Sequence, residues 1–236
     1  MREMIRFEEI DQTLIVTLDH SELGHSLGQA EAKVLTSLLK KHTHSSIIFQ
    51  STGSRFFCTG GNLAEQIQAK SKMASFKTQL AVRSALKTLE QHQGLTIALA
   101  NGDCFGGGME LLSCFDIVLS APHSFFGLWQ RQLGLSFGWG GGRRLLNRTS
   151  LTNLKRQLLL SRTVSAYEAQ SLGWVDEILP QNKLIPRAQE ILLRHSQLPQ
   201  KNFSALKLWS GEKEEKIFSS LWMKMEHQKA LKKFKR

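Results

Sequence analysis

Ten of the 18 glycines in this chain lie between Gly102 and Gly142. Glycine has no Cβ atom, so such crowding indicates turns that leave backbone N–H groups free, or places where another molecule approaches the main chain closely. A separate glycine pair, Gly60 and Gly61, stands earlier in the chain. We therefore expect a functional site, if the chain has one, to lie among these glycines.

Short apolar runs alternate with amphipathic segments along the chain. The predicted strands are residues 4–10, 13–18, 46–49, 95–100, 116–119 and 174–179. The predicted helices are residues 29–41, 72–92, 141–147, 151–160 and 165–172, one starting near Met109, and the remainder of the chain after 179. Strands that alternate with helices imply crossover connections and a largely parallel sheet. The pattern predicts one α/β core, with the C-terminal helices as a separate layer.

Composition excludes several classes of protein. A hydrophobic fraction of 41% and a charged fraction of 22% over 236 residues are ordinary for a globular domain. No run approaches the ~18 consecutive apolar residues of a membrane span, and charges interrupt the first residues, unlike a secretory signal. Three cysteines without a C-x-x-C motif signal neither a disulfide framework nor a zinc site. We expect a reduced, cytoplasmic protein with no metal and no membrane partner.

The net charge of +11 is concentrated at the C-terminus, because residues 201–236 hold ten Lys or Arg and four Glu. A basic terminal segment can contact the phosphates of a nucleotide cofactor or of nucleic acid. A solvated helix face explains the same charges. A nucleic-acid-binding module is thus an alternative, but only this segment suggests it, and we do not expect nucleic acid as a partner.

Two segments share one design, since each is a buried strand that ends in a glycine-bearing turn. The first runs from residue 47 to Asn62, and the second from residue 97 to Glu110. Two such turns side by side can aim two backbone N–H groups at one point. Preorganised donors of this kind stabilise a developing oxyanion without reorganisation.

The same segments carry a resemblance to a known family. Residues 57–63 resemble the F-x-x-G-A-D-L turn of the crotonase (enoyl-CoA hydratase/isomerase) superfamily, and residues 101–111 resemble its N-G-x-x-x-G-G-G-x-E-L motif. Matches at residues 116–117, 126–127, 133–135, 140–145 and 165–175 follow in the same order. The resemblance covers most of residues 5–190.

The resemblance implies a fold, an assembly and a ligand. The fold would be a crotonase-like spiral of ββα units over residues 1–190, with a helical trimerisation region at residues 191–236. The protein would assemble as a homotrimer or a dimer of trimers. Its substrate would be an acyl-CoA thioester, with no cofactor other than the coenzyme A of the substrate itself. Basic residues of the last helix would reach the coenzyme phosphates, the candidates being Lys229, Lys232, Lys233 and Lys235.

The resemblance also assigns site residues one by one. The amides of Gly61 and Gly107 would form the oxyanion hole and bind the thioester. Asn62 stands where the family usually has Asp; with Leu63 it would shape the turn that meets the coenzyme. Glu110 matches the first of the two glutamates that work in the hydratases, and is the predicted acid–base group.

Gln130 is the main departure from the family pattern, since the hydratases have their second glutamate there. Glutamine can orient a water molecule but does not exchange protons near neutral pH. Efficient hydration is therefore in doubt, and isomerisation or decarboxylation fits a single carboxylate at least as well. Trp129 and Phe137 replace prolines of the pattern, so they could narrow the acyl pocket or simply pack in the core.

Three hypotheses about function remain. The first is an acyl-CoA lyase or isomerase that works through an enolate. The second is a degenerate member of the family that binds acyl-CoA without turnover, and the third is the nucleic-acid-binding module. The G-x-S-x-G match at residues 134–138 also fits a serine hydrolase, but that motif needs a strand before it, and residues 130–133 make a poor one.

Overall fold

The protein was analysed as a computed structural model that describes residues 4–200, 202–207, 209, 214–222 and 224–233. The chain divides into two compact units, residues 1–188 and residues 189–236. The domain boundary expected between residues 190 and 191 stays a prediction, because compactness alone does not define an independently folding domain.

The chain begins with a hairpin. Strands β1 (Ile5–Ile10) and β2 (Thr13–Leu18) pair antiparallel, with Ile10 opposite Thr13. The two residues between them, Asp11 and Gln12, have φ of 46° and 63°. Positive φ at both central residues is the geometry of a two-residue hairpin turn that matches the twist of the strands. The predicted strands, residues 4–10 and 13–18, leave the same two residues between them, so their bounds are confirmed to within one residue.

The larger sheet has six strands in the order β1-β2-β3-β5-β7-β10. Its remaining members are β3 (Ser46–Ser51), β5 (Thr96–Ala100), β7 (Ile117–Ser120) and β10 (Glu177–Ile178). From β2 onward every pair is parallel. All five residues of β5 are buried, as expected of a central strand covered on both faces.

The smaller sheet has four strands in the order β4-β6-β8-β9. They are β4 (Phe56–Cys58), β6 (Asp103–Phe105), β8 (Phe125–Gly127) and β9 (Thr163–Ser165). The first three are parallel to one another. Each of them directly follows a strand of the larger sheet in sequence, so the chain alternates between the two sheets and then continues into helix or loop.

Eleven α-helices occur among the described residues. They are α1 (Gln29–Lys41), α2 (Leu63–Ile67), α3 (Lys72–Glu90), α4 (Gly107–Leu112), α5 (Gly141–Leu146), α6 (Leu151–Leu160), α7 (Ala166–Ser171), α8 (Gln181–Ser196), α9 (Phe203–Lys207), α10 (Glu214–Leu221) and α11 (Met225–Lys233). Helices α1 and α3 place their apolar faces in the core, with Leu35, Leu86 and Leu89 almost fully buried. In the part of the chain that the structure describes, no helix has the length and hydropathy needed to cross a membrane.

The predicted α/β architecture is confirmed. The second, four-stranded sheet was not predicted from the sequence. The three-residue strands of the smaller sheet were not predicted. Such short runs carry too few alternating residues for a periodicity to be recognised. The last predicted strand, residues 174–179, is reduced to Glu177–Ile178.

Candidate active site

The two predicted glycine turns lie against each other. They follow β4 and β6, which are neighbouring parallel strands with Cys58 opposite Cys104. A Cβ atom placed on Gly60 would lie 2.8 Å from the backbone nitrogen of Gly107. Gly60 and Gly106 have φ of 103° and 54°, which side chains other than glycine rarely adopt. Backbone conformation therefore favours glycine at both positions, and close approach to Gly107 also requires it at Gly60.

The amides of Gly61 and Gly107 are available as donors. Within the described residues, neither N–H has a hydrogen-bond acceptor, and both glycines are partly exposed. Gly107 is the first residue of α4, where backbone N–H groups have no partner inside the helix. Two free donors on abutting turns have the composition of an oxyanion hole; the role itself stays a prediction.

The residues after Gly61 build the start of α2. The Asn62 side chain accepts a hydrogen bond from the Glu65 backbone N–H at 3.1 Å, which caps the helix. Its own backbone N–H donates to Leu27 at 3.0 Å. Leu63 is about half exposed. The Asn in place of the family's Asp therefore supplies the side-chain oxygen that caps α2.

Glu110 is buried, and its carboxylate is held by the main chain of a distant loop. Oε1 accepts from the N–H of Gly138 at 3.1 Å, and Oε2 accepts from Trp139 and Gly141, both at 2.8 Å. A carboxylate has about four acceptor positions. Three are occupied here, so Glu110 has one position left, on Oε1, for a further hydrogen.

The same carboxylate caps α5. The N-cap residue of this helix is Gly140, which has no side chain to accept from the first amides. Glu110 supplies the missing acceptor from α4, and the negative charge also suits a helix N-terminus. Glu110 thus joins the second glycine turn to the loop at residues 138–141.

Gln130 lies at the same turn, in a 3-10 helix formed by Trp129–Leu133. It is buried, and Nε2 donates to the carbonyl of Gly106 at 3.1 Å. Its Oε1 is buried with no hydrogen-bond partner among the described residues. Glu110 and Gln130 are therefore both attached to the turn that carries Gly107, one through the helix and the other through a hydrogen bond.

Trp139 is a site residue that the sequence reasoning missed. It is only 4% exposed. Its six-membered ring would lie 2.4 Å from a Cβ atom on Gly107 and 3.5 Å from one on Gly61. The indole Nε1 donates to Gln79 of α3 at 2.9 Å. Trp139 stands between Gly138 and Gly140 in the sequence. This pattern could have identified it as a site residue, because flanking glycines leave room for a large ring against the main chain.

Arg144 holds the backbone on which Trp139 and Glu110 stand. Its guanidinium is buried and donates to the carbonyls of both residues at 3.0 Å. It also donates to Ser113 at 3.0 Å and pairs with Glu90 at 3.2 Å. The positive charge of Arg144 is therefore balanced by Glu90. The hydrogen bonds to the carbonyls of Glu110 and Trp139 hold the loop at residues 138–141 against α4.

The two aromatic residues flagged from the sequence lie elsewhere. The Trp129 ring stacks on Phe105, with centroids 3.9 Å apart and planes at 5°. The Phe137 ring lies close to Gly142, where a Cβ atom would be 2.7 Å away. Neither ring is among the three nearest neighbours of the Cβ positions of Gly61 and Gly107, whereas the Trp139 ring is among those of both.

The cysteines near the turns are not reactive groups. All three are buried and free, and burial raises the pKa of Cys58 and of Cys114 to about 12, and that of Cys104 well above its usual range. In the described part of the chain, no cluster of His, Cys, Asp or Glu could hold a metal ion. Ser136 lies in an irregular loop after the 3-10 helix, which is not the strand-to-helix turn of a hydrolase nucleophile.

The C-terminal lysines are described only in part. Lys229 and Lys232 are exposed on α11. Lys235 and the side chain of Lys233 lie outside the described residues. No ranking among the four as phosphate ligands follows from their positions.

Comparison with known proteins identifies the class first. The solved structure of an enoyl-CoA hydratase from Bacillus anthracis superposes with a TM-score of 0.89 at 22% identity, covering 99% of this chain and 96% of that one. An enoyl-CoA hydratase from Bacillus halodurans superposes with a TM-score of 0.82 at 23% identity, covering 93% and 91%. The chain therefore has the crotonase fold.

The sequence comparison gives the family. The enoyl-CoA hydratase/isomerase family model matches residues 15–230, so the chain belongs to that family. The 2,3-dehydroadipyl-CoA hydratase of Escherichia coli is 25% identical over 193 residues, which are 79% of this chain and 74% of that protein. YngF of Bacillus subtilis, whose name assigns it to the same family, is 28% identical over 183 residues, 75% of this chain and 69% of that protein.

Proposed function

We propose that the protein binds an acyl-CoA thioester with its carbonyl oxygen between the amides of Gly61 and Gly107, and that it catalyses a reaction through the thioester enolate. The observation that carries the proposal is the pair of free N–H groups on two abutting, partly exposed turns. Such donors stabilise the negative charge that develops on the oxygen when a carbanion forms at the neighbouring carbon.

Glu110 is the acid–base group in this proposal, and its surroundings favour some reactions over others. Hydration needs one group to activate the water and another to protonate the α-carbon. Glu110 has a single acceptor position left, and Gln130 cannot exchange protons. Hydration is therefore disfavoured.

Two reactions that pass through an enolate need only one side chain to carry the proton. In isomerisation, a carboxylate removes a proton from the α-carbon of a 3-enoyl thioester and returns it to the γ-carbon. In decarboxylation, the bond to a carboxylate on the α-carbon breaks, CO2 leaves, and the electron pair passes to the thioester oxygen; a proton taken up from solvent then adds to the α-carbon. We propose that the reaction is one of these two.

A second candidate is an acyl-CoA-binding protein without turnover. The observation that favours it is the attachment of the Glu110 carboxylate to three backbone amides, which gives this side chain a structural task. The oxyanion pair would then bind the thioester without any proton transfer.

A panel of substrates separates the two candidates. Crotonyl-CoA, 3-butenoyl-CoA and methylmalonyl-CoA are incubated with the protein and with Glu110→Gln, and products are identified by mass spectrometry. Turnover of 3-butenoyl-CoA or methylmalonyl-CoA that is lost in Glu110→Gln supports the enzyme. Binding of butyryl-CoA without turnover of any substrate supports the second candidate, and absence of both binding and turnover contradicts the proposal.

We also propose that the protein is a cytoplasmic homotrimer or dimer of trimers, with no nucleic-acid partner. The C-terminal unit supports self-association, because large apolar side chains there are about half exposed and line a cavity of about 720 Å³. They include Trp209, Phe218 and Trp222. Light scattering coupled to size-exclusion chromatography tests the assembly, and a monomer at micromolar concentration would contradict it.

A further inference from the structure

Trp139 occupies the space directly beside the oxyanion pair. Its ring is the nearest neighbour of the position where Gly107 would carry a Cβ atom, and it is also in van der Waals range of the corresponding position on Gly61. One ring therefore lies along both turns at once. Protein interiors are close-packed, so an acyl group whose carbonyl reaches these amides must share its surroundings with the indole.

Hydrogen bonds hold both the backbone and the indole ring of Trp139 in this place. The Trp139 N–H donates to Glu110, its carbonyl accepts from Arg144, and its Nε1 donates to Gln79. Moving the ring aside would leave a buried indole N–H without its acceptor, which is unfavourable. The ring is therefore part of the wall of the site and not a side chain that a ligand displaces freely.

We propose that Trp139 sets the depth of the acyl subsite, so that the protein prefers short acyl groups such as acetyl and butyryl over octanoyl. The inference rests on the proposed function, because it assumes that a CoA thioester occupies the amide pair. Trp139 is a specificity-determining residue in this view, and Gln79 is the positioning residue that holds its ring.

The test measures binding and does not depend on catalysis. Free CoA, acetyl-CoA, butyryl-CoA and octanoyl-CoA are titrated by calorimetry into the unaltered protein and into Trp139→Ala. Saturated thioesters serve as probes because they offer the carbonyl group without a double bond to react. The matched control is Trp129→Leu, which removes an aromatic ring from the same segment at a position stacked on Phe105.

The expected result is a reversal of chain-length preference. The unaltered protein and Trp129→Leu bind butyryl-CoA at least about tenfold more tightly than octanoyl-CoA. Trp139→Ala binds octanoyl-CoA more tightly, with a gain of up to about fourfold for each methylene group that the opened pocket buries. Gln79→Leu, which removes the acceptor of the indole N–H, shifts the preference in the same direction by a smaller factor.

The role of Trp139 and the binding of thioesters can fail separately. If the unaltered protein binds octanoyl-CoA as tightly as butyryl-CoA, or if opening the pocket leaves the ranking unchanged, Trp139 does not set the depth while thioester binding stands. If no thioester binds better than free CoA to any variant, the proposed function fails as well. Should Trp139→Ala not fold, Trp139→Phe gives the same test with a smaller expected shift.

Discussion

The two glycine turns and the segment from residue 129 to residue 141 differ in how their polar groups are used. In the turns, the N–H groups of Gly61 and Gly107 are left without acceptors among the described residues. In the segment, the amides of Gly138, Trp139 and Gly141 are all bound to one carboxylate. One region keeps its donors available, and the other uses its donors to hold the loop.

In the proposed enolate enzyme, this difference would separate two parts of the catalytic machinery. The oxyanion pair depends only on main-chain geometry, so it survives as long as the turns abut. The proposed acid–base part depends on side chains, and here Gln130 stands where the family pattern has a carboxylate, while Glu110 also caps α5. The family fold is therefore retained, and at the two positions of the hydratase glutamates the chain has Glu110 and Gln130.

The largest expected effect comes from Glu110→Gln. An amide nitrogen in place of one oxygen presents hydrogens to backbone N–H groups, so buried donors lose their acceptor. Unfolding free energy should fall by about 1–3 kcal/mol, and any turnover by about 10²–10⁴-fold. Chemical denaturation and product analysis measure the two effects.

The matched control for that variant is Glu31→Gln. Glu31 is equally buried but accepts one amide, from Gly28 at 2.7 Å, in a capping arrangement that glutamine also satisfies. A similar loss of stability in both variants would contradict the special role of the three amides at Glu110.

Gly107→Ala tests the close contact between the second turn and Trp139. The added Cβ would lie 2.4 Å from the indole, so ring or turn must shift, at a cost of about 1–3 kcal/mol in unfolding free energy. Gly138→Ala is the control, because nothing lies within 4 Å of its Cβ position. Adding Gly107→Ala to Trp139→Ala should cost less unfolding free energy than adding it to the unaltered protein, as measured by chemical denaturation. An equal cost in both backgrounds would place the clash elsewhere.

Gln130→Glu tests whether the segment can regain an acid–base group. We expect the rate of crotonyl-CoA hydration to rise by about tenfold, a small part of the 10²–10⁴ that a well-placed group contributes. The gain is limited because an ionised Glu cannot donate to the Gly106 carbonyl as Gln130 does. An unchanged rate, with the fold intact by circular dichroism, would show that hydration needs more than this one carboxylate.

The smallest expected effect concerns Cys58, Cys104 and Cys114. Because burial keeps the pKa of each thiol far above its usual range, the thiolate form is absent near pH 8, and a thiol reagent should label none of them in the folded protein. All three should react in denaturant. Rapid labelling of Cys58 without unfolding would mean that the first turn opens in solution.

Most of the fold could be predicted from the sequence. The boundaries of α1 and α6 and the start of α3 match their predicted positions, because amphipathic spacing over ten or more residues is a strong signal. The strands of the smaller sheet could not be predicted, since three residues carry no period. Their pairing depends on partners that lie from about 20 to about 50 residues away in the chain.

The sequence alone determined which residues form the two turns, since glycine is the residue type that such conformations require. It also determined, through the resemblance to the family, that a carboxylate, Glu110, and an amide, Gln130, stand at the two positions where the hydratases have glutamates. Only the tertiary structure decided what surrounds them. Trp139 meets Gln79 from 60 positions away and Gly61 from 78, and Glu110 receives amides about 30 residues downstream. Contacts over such separations are set by how the helices and sheets pack, so local residue patterns do not predict them.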